Sequence, residues 1–469
     1  MEIEQIYTGC LAQGAYYIHS GGEAAIIDPL REVSPYIERA RRDGVKIKYI
    51  FETHFHADFV SGHVTLSERT GATIVFGPNA NPTYEAHIAK DGEEFKVGKI
   101  TVRVLHTPGH TMESTTYLVL DEYGKEHAIF TGDTLFLGDV GRPDLAQKAG
   151  SLSMEDLAGY SFDSLRNKIM PLPDHVIVYP AHGAGSACGK NMMKETVDTL
   201  GNQKKINYAL RADMSKEEFI KEVTADLAPP PLYFPLNVKM NKEGYEDIDT
   251  VLAAGTKPLS PREFELLANE TGAVMLDVRT PFDFATGHIP NSIFIGLNGS
   301  FAPWVGELII DVKQPIILIV SQGQEQEAVT RLSRVGFDNT LGYLHGGIDA
   351  WEEAGNEVDT VSSVPASDLE AAYTEFKSRI FDVRKESEYL SEHVLNAKNT
   401  PLSNLNAQLA EFPKEKDFYV HCAGGYRSMI AISILKSRGY HNMIDVQGGF
   451  KAIAETKIPI SKFVCPTTL

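Results

Sequence analysis

The chain has 469 residues, 43% hydrophobic and 23% charged, which fits a folded globular protein of about three domains and excludes a disordered or collagen-like one. Its 63 acidic residues against 44 Lys and Arg give a formal net charge of −19, opposing non-specific binding to nucleic acid or to an anionic membrane. Four cysteines are too scattered for a disulfide framework, no apolar run nears the roughly 20 residues that span a bilayer, and Met1-Glu2-Ile3-Glu4 does not open a signal peptide, so a reducing cytoplasm is expected.

In chain order, Tyr16–His19, the Gly21-Gly22 turn and Ala24–Asp28 predict an opening hairpin, and Pro35–Arg42 a helix that Gly44 stops. The apolar run Ile47–Phe51 then ends at Thr53-His54-Phe55-His56-Ala57-Asp58-Phe59, the pattern of a buried strand delivering polar side chains into a loop. The pattern returns three times. Ile100–Leu105 precedes Thr107-Pro108-Gly109-His110, Ala128–Phe130 precedes Thr131-Gly132-Asp133, and Val176–Val178 precedes Tyr179-Pro180-Ala181-His182-Gly183. One His beside an apolar run is ordinarily a core histidine, but four strand ends each followed by His or Asp mark a metal site. Asn191–Gly201 and Met214–Leu227 are expected as surface helices. Pro229-Pro230-Pro231 opens a mixed stretch, to about Gly255, taken as the tail of the first domain plus a linker.

Beyond that point the sequence repeats with a period of about 100 residues, which means duplicated domains. Leu276-Asp277-Val278-Arg279 recurs as Phe381-Asp382-Val383-Arg384, His288 as His393, and Ile316–Val320 as Phe418–His421. Gly336-Phe337 matches Gly439-Tyr440, and His345-Gly346-Gly347 matches Gln447-Gly448-Gly449. Strand, loop, helix, strand in that order predicts parallel α/β units. The expected domains are 1–250, 256–360 and 363–469.

His54-x-His56-x-Asp58 with a distant His, Asp and His can make one metal site or two. A dinuclear hydrolase of this type usually carries a second His directly after the Asp, where this chain has Phe59, which cannot ligate. His63 could substitute only if the loop turned helical there. The remaining groups can supply two imidazoles and one carboxylate, the facial set that leaves positions open on Fe(II). With these four motifs, residues 1 to about 250 resemble the metallo-β-lactamase fold, an αββα sandwich, and within it the persulfide dioxygenases. The resemblance implies one Fe(II) per chain on His54, His110 and Asp133, with His56, Asp58 and His182 as groups that orient ligands or bound water. Gly141-Arg142-Pro143-Asp144 also resembles the dioxygenase pattern, in which Arg142 could hold the anionic tail of a thiol carrier; the plainer reading is an Arg paired with Asp144. Cys188, soon after His182, could approach the pocket or be a buried, inert thiol.

In the last repeat, strand Phe418–His421 runs into Cys422-Ala423-Gly424-Gly425-Tyr426-Arg427-Ser428 and then a helix. Small residues let such a loop curl its N–H groups toward the sulfur, and the helix N-terminus and Arg427 add positive potential that favours thiolate. The pattern, over about Pro365–Lys462, resembles the rhodanese sulfurtransferases. It implies Cys422 as sulfur acceptor and Ala423, Gly424, Gly425, Tyr426 and Arg427 as the anion-binding loop. The middle repeat carries Ser321-Gln322-Gly323-Gln324-Glu325-Gln326-Glu327 there, and a hydroxyl cannot carry a persulfide, so that domain is expected to be inactive. Cys465 is either a mobile relay thiol or an incidental tail residue.

Together these resemblances imply a persulfide dioxygenase fused to two rhodanese units. It would oxidise glutathione or coenzyme A persulfide with O₂ to sulfite and move sulfur between persulfide, sulfite and thiosulfate. The rivals are a glyoxalase-II-like dinuclear zinc thioester hydrolase, a flavodiiron-type oxidoreductase and a persulfide-binding sensor. Small molecules are the expected partners, in a homo-oligomer, with neither nucleic acid nor membrane.

Overall fold

The computed structural model describes residues 1–145, 152–227 and 229–465. They form two compact units, one of Met1–Ile248 with Leu332–Gly336, the other of the described chain from Asp249 onward apart from that segment.

The first unit holds two six-stranded sheets. One is ordered β1 (Glu2–Thr8), β2 (Gln13–Ser20), β3 (Glu23–Ile27), β4 (Lys46–Phe51), β5 (Thr73–Phe76) and β6 (His87–Ile88). The other comprises β7 (Glu94–Val97), β8 (Ile100–His106), β9 (Thr115–Leu120), β10 (Glu126–Gly132), β11 (Ile177–Pro180) and β12 (Asp198–Thr199), from one edge to the other. Alternation along the strands builds the layers. Ala25 and Ile27 of β3 meet Tyr117 and Val119 of β9 in the core between the sheets. Ala24 and Ile26 face outward under Tyr36, Ala40 and Leu66, on or beside the helices Ser34–Arg42 and His63–Thr70. Leu118 and Leu120 face the opposite side, under Leu165, Ile169 and Phe219. The result is the expected αββα sandwich.

The opening hairpin and the Ser34–Arg42 helix stand where the sequence placed them. The helix expected over Asn191–Gly201 does not form: Asp198 and Thr199 pair as β12 with β11, and the helix Leu200–Ile206 starts only there. Before it, the N–H groups of Lys190 and Asn191 donate to the buried carboxylate of Asp139 at 2.6 and 2.7 Å, so this backbone has partners without helical bonds. The stretch taken as tail and linker contains the helices Phe234–Glu243 and Ile248–Gly255.

The second unit carries two parallel five-stranded sheets of one topology. The first runs β13 (Pro258–Leu259), β17 (Thr340–Leu344), β16 (Ile316–Ile319), β14 (Val274–Asp277), β15 (Ile293–Phe294). The second runs β18 (Ser362–Val364), β22 (Met443–Val446), β21 (Phe418–His421), β19 (Ile380–Asp382), β20 (Lys398–Asn399). The repeat extends to side chains. Arg279 grips Asp277 and donates to Gly287 O, as Arg384 grips Asp382 and donates to Glu392 O. His288 stacks on Phe284 as His393 stacks on Tyr389. No helix among the described residues is long and apolar enough to cross a membrane.

Candidate metal centre and thiol loop

The ends of β4, β8, β10 and β11 converge in the first unit. His54, His110 and Asp133 are buried there, with one ligand atom of each within 4.8 Å of the others. His110 Nε2 is 3.4 Å and His54 Nε2 3.8 Å from Asp133 Oδ2, and the two rings stand perpendicular at 5.0 Å.

Hydrogen bonds at the far side of each ring fix which nitrogen faces inward. His110 Nδ1 lies 2.8 Å from the carbonyl of Arg142, which can only accept, so Nδ1 bears the proton and Nε2 the lone pair. His54 Nδ1 lies 3.0 Å from Thr53 Oγ1, whose one proton goes to Asp28 Oδ2 at 2.8 Å. Thr53 Oγ1 therefore accepts from His54, and Nε2 again carries the lone pair. Burial and the neighbouring His56 hold His54 well below the ordinary imidazole range, hence neutral. Burial alone would raise Asp133, yet the charge and hydrogen bond of His182 on its Oδ1 lower it and keep it ionised. Its Oδ2 is buried without a hydrogen-bond partner. Two inward lone pairs and an orphaned carboxylate oxygen, all out of water, are the donor set of a divalent metal with positions left for other ligands.

His182 lies between two carboxylates, with Nδ1 2.8 Å from Asp133 Oδ1 and Nε2 2.8 Å from Asp58 Oδ2. Burial opposes its charge, but the two carboxylates carry it well above the usual range. His56 turns away from His110 and Asp133, toward Asp28 at 3.1 Å, with its ring on Phe59 at 4.4 Å. Phe59 is fully buried. His63 does begin a helix, yet its Nε2 meets Tyr84 Oη at 2.5 Å rather than the cluster.

Arg142 is buried, with its guanidinium held bidentately by Asp144 at 2.7 Å and by Ala187 O at 3.2 Å. Its carbonyl, not its charge, is what bonds to His110. Cys188 belongs to a second buried cluster with Asp58 and His182. Burial, together with Asp133 and Asp58, pushes its thiol well up, so it remains protonated.

Three contributors were not legible in the sequence. Asp28, at the end of β3 with φ +48°, accepts both the N–H and the hydroxyl of Thr53; a strand-end Asp was the available signal. Asn241, in the helix Phe234–Glu243, donates to the carbonyls of His56 and Phe59 and accepts from Ser61 N–H, each at 2.8 Å. Glu388 lies in the second unit and pairs with both outer nitrogens of Arg427 at 2.6 and 2.8 Å.

Cys422 is buried at the end of β21, and its Sγ accepts the N–H of Gly425 at 3.1 Å. Gly425, at φ +102°, turns the loop so that this N–H faces the sulfur. Gly449 backs the loop so closely that a Cβ there would lie 2.4 Å from Cys422 O. Ser321 takes the cysteine's place in the middle domain. Cys465 is exposed near the chain end.

The metallo-beta-lactamase superfamily model matches residues 8–182, and the rhodanese-like domain model matches 260–354 and 365–456. A crystal structure of a metallo-beta-lactamase from Staphylococcus aureus subsp. aureus COL is 31% identical, covering 73% of this chain and 98% of its own, with a TM-score of 0.64. The human mitochondrial persulfide dioxygenase ETHE1 is 29% identical over 222 residues, 47% of this chain and 78% of that protein. A hydroxyacylglutathione hydrolase from Tolumonas auensis is 34% identical over 171 residues, 36% of this chain and 60% of its own length. The chain thus spans about three-fifths of that hydrolase.

Proposed function

We propose, from the premise that the chain belongs to the metallo-β-lactamase superfamily and carries two rhodanese-like domains, that it is an iron-dependent persulfide dioxygenase joined to a sulfurtransferase. The metal centre is assigned to residues 1–250, a thiol-free rhodanese fold to 256–360 and an active one to 363–469. The observation that carries the reading is Phe59 packed on His56 beside the donor set of His54, His110 and Asp133. Phe59 follows Asp58 where a two-metal hydrolase usually carries an imidazole, which supports reading His54, His110 and Asp133 as a three-ligand site for one ion.

Fe(II) there would supply vacant coordination positions and the one-electron chemistry that O₂ requires, which Zn(II) does not. The chain's own groups keep the site ready. Thr53 and the Arg142 carbonyl hold the histidine lone pairs inward, while His182 keeps Asp133 ionised and oriented. The terminal sulfur of a low-molecular-weight persulfide, such as that of glutathione or coenzyme A, would take two oxygens from O₂ and the third from water, so that RS–SH, O₂ and H₂O give RSH, sulfite and two protons.

Cys422 handles sulfane sulfur separately. Its thiolate attacks the outer sulfur of RS–SH, forming Cys–S–S⁻ and releasing RSH; sulfite then attacks that outer sulfur, giving thiosulfate and restoring the thiolate. The Gly425 N–H supports the Cys422 sulfur when it is the thiolate. Each step is reversible, so the same loop can work from thiosulfate.

Oxygen uptake by iron-loaded protein supplied with glutathione persulfide tests the proposal: one O₂ consumed per persulfide, with sulfite appearing, is expected. Thioester hydrolysis without oxygen uptake would overturn it and favour the hydroxyacylglutathione hydrolase relatives.

A further inference from the structure

The middle domain has lost the thiol chemistry yet stands against the catalytic loop of its sister. Tyr426 follows Gly425, the residue whose N–H holds Cys422 Sγ, and opens the helix Tyr426–Ser437. Its side chain does not stay in its own domain. The phenol donates to the carbonyl of Gly296 at 2.6 Å, and its ring lies edge-on to Phe294 at 6.0 Å. Gly299 leaves the room the ring occupies, since a Cβ there would lie 2.6 to 3.0 Å from three of its carbons. Further along the helix, Ser433 Oγ accepts Phe294 N–H at 3.0 Å, and Lys436 meets Asp359 at 2.9 Å.

The loop is thereby held from three sides. Within its own domain, Phe450 N–H donates to Cys422 O at 2.7 Å and Glu388 fixes Arg427. The third side is borrowed. Counting from Ser321 and Cys422, the position of Tyr426 in the middle domain is Glu325, which cannot make this contact. The clamp is one-way, from the thiol-free domain onto the thiol-bearing one.

We propose that the middle domain is a positioning element for sulfur transfer: its Gly296–Gly299 segment sets Tyr426, and through Tyr426 the Gly425 N–H that supports the Cys422 sulfur. Tyr426 is thus a positioning residue, and the second rhodanese unit completes its anion cradle only with the first in place. This rests on Cys422 being the sulfur-carrying thiol.

The test is the rate of Cys422 alkylation by iodoacetamide against pH in the full chain, with Cys422→Ser giving the background from the other thiols. Gly299→Ala pushes on the ring from outside the catalytic domain, and Tyr426→Phe removes only the hydroxyl. Both are expected to slow alkylation at pH 7 by about threefold or more and to move the profile to higher pH, with metal content unchanged. A packing contact alone would lower Tm and leave the profile superimposed on wild type, and that result overturns the proposal. If Gly299→Ala does not fold, Tyr426→Phe decides. Alkylation needs no sulfur donor, so failure here is distinct from failure of the persulfide reading.

Discussion

Replacing Asn241 by alanine removes one side chain and strands three backbone groups. The side chain is almost fully buried, and its bonds to His56 O, Phe59 O and Ser61 N all measure 2.8 Å. Two carbonyls and one N–H would be left in a site where water has little access. At about 1 kcal/mol for each group left unpaired, the loss is about 3 kcal/mol. For a domain of this size that lowers Tm by roughly 6 to 12 °C. The loop these bonds hold carries His54, so iron affinity should also fall, by roughly 10- to 100-fold. Calorimetry identifies the relevant transition as the one whose midpoint rises on iron loading, and competition with a chelator gives the affinity. A shift below about 2 °C with unchanged iron retention would refute the reasoning, because the loop would then be held without Asn241.

Thr53→Val keeps the shape but removes the oxygen that accepts His54 Nδ1–H; iron affinity by chelator competition should drop roughly 10-fold or more while the fold persists. Cys422→Ser is expected to abolish sulfur transfer and leave persulfide-dependent oxygen uptake intact, and joint loss of both in paired assays would argue against separable sites. Burial alone would raise Glu388, but Arg427 holds it below its ordinary value, so its stabilisation is present above about pH 4.3 and fades as pH falls through the lower folded value. Melting curves of wild type and Glu388→Gln should therefore differ at pH 7 and converge toward pH 3. Phe59→His should let the pocket take a second ion, read as a rise in bound zinc per chain.

What the sequence disclosed follows from the range of its signals. The strands that end at Phe51, His106, Gly132 and Pro180 were visible to within two residues, because each apolar run stops shortly before a His or Asp, and that pattern is local. The duplication was equally open, since Asp277-Val278-Arg279 and Asp382-Val383-Arg384 are literal repeats. Asn241 and Glu388 stayed hidden because nothing near them in the chain mentions the loops they bind; 182 residues separate Asn241 from Phe59. Asn191–Gly201 misled because its composition tolerates a helix, while Asp139, far away in sequence, supplies competing partners for the backbone. For Arg142 the sequence left two readings, a charge for the substrate's tail or a pair with Asp144, and the fold shows Asp144 holding the guanidinium through two bonds of 2.7 Å.

The central claim is a single redox-active ion beside Phe59. Metal analysis of anaerobically purified, catalytically active protein tests it most directly. The account predicts one iron per chain, lost on Asp133→Asn together with persulfide-dependent oxygen uptake. Two zinc ions per chain in active protein would contradict it.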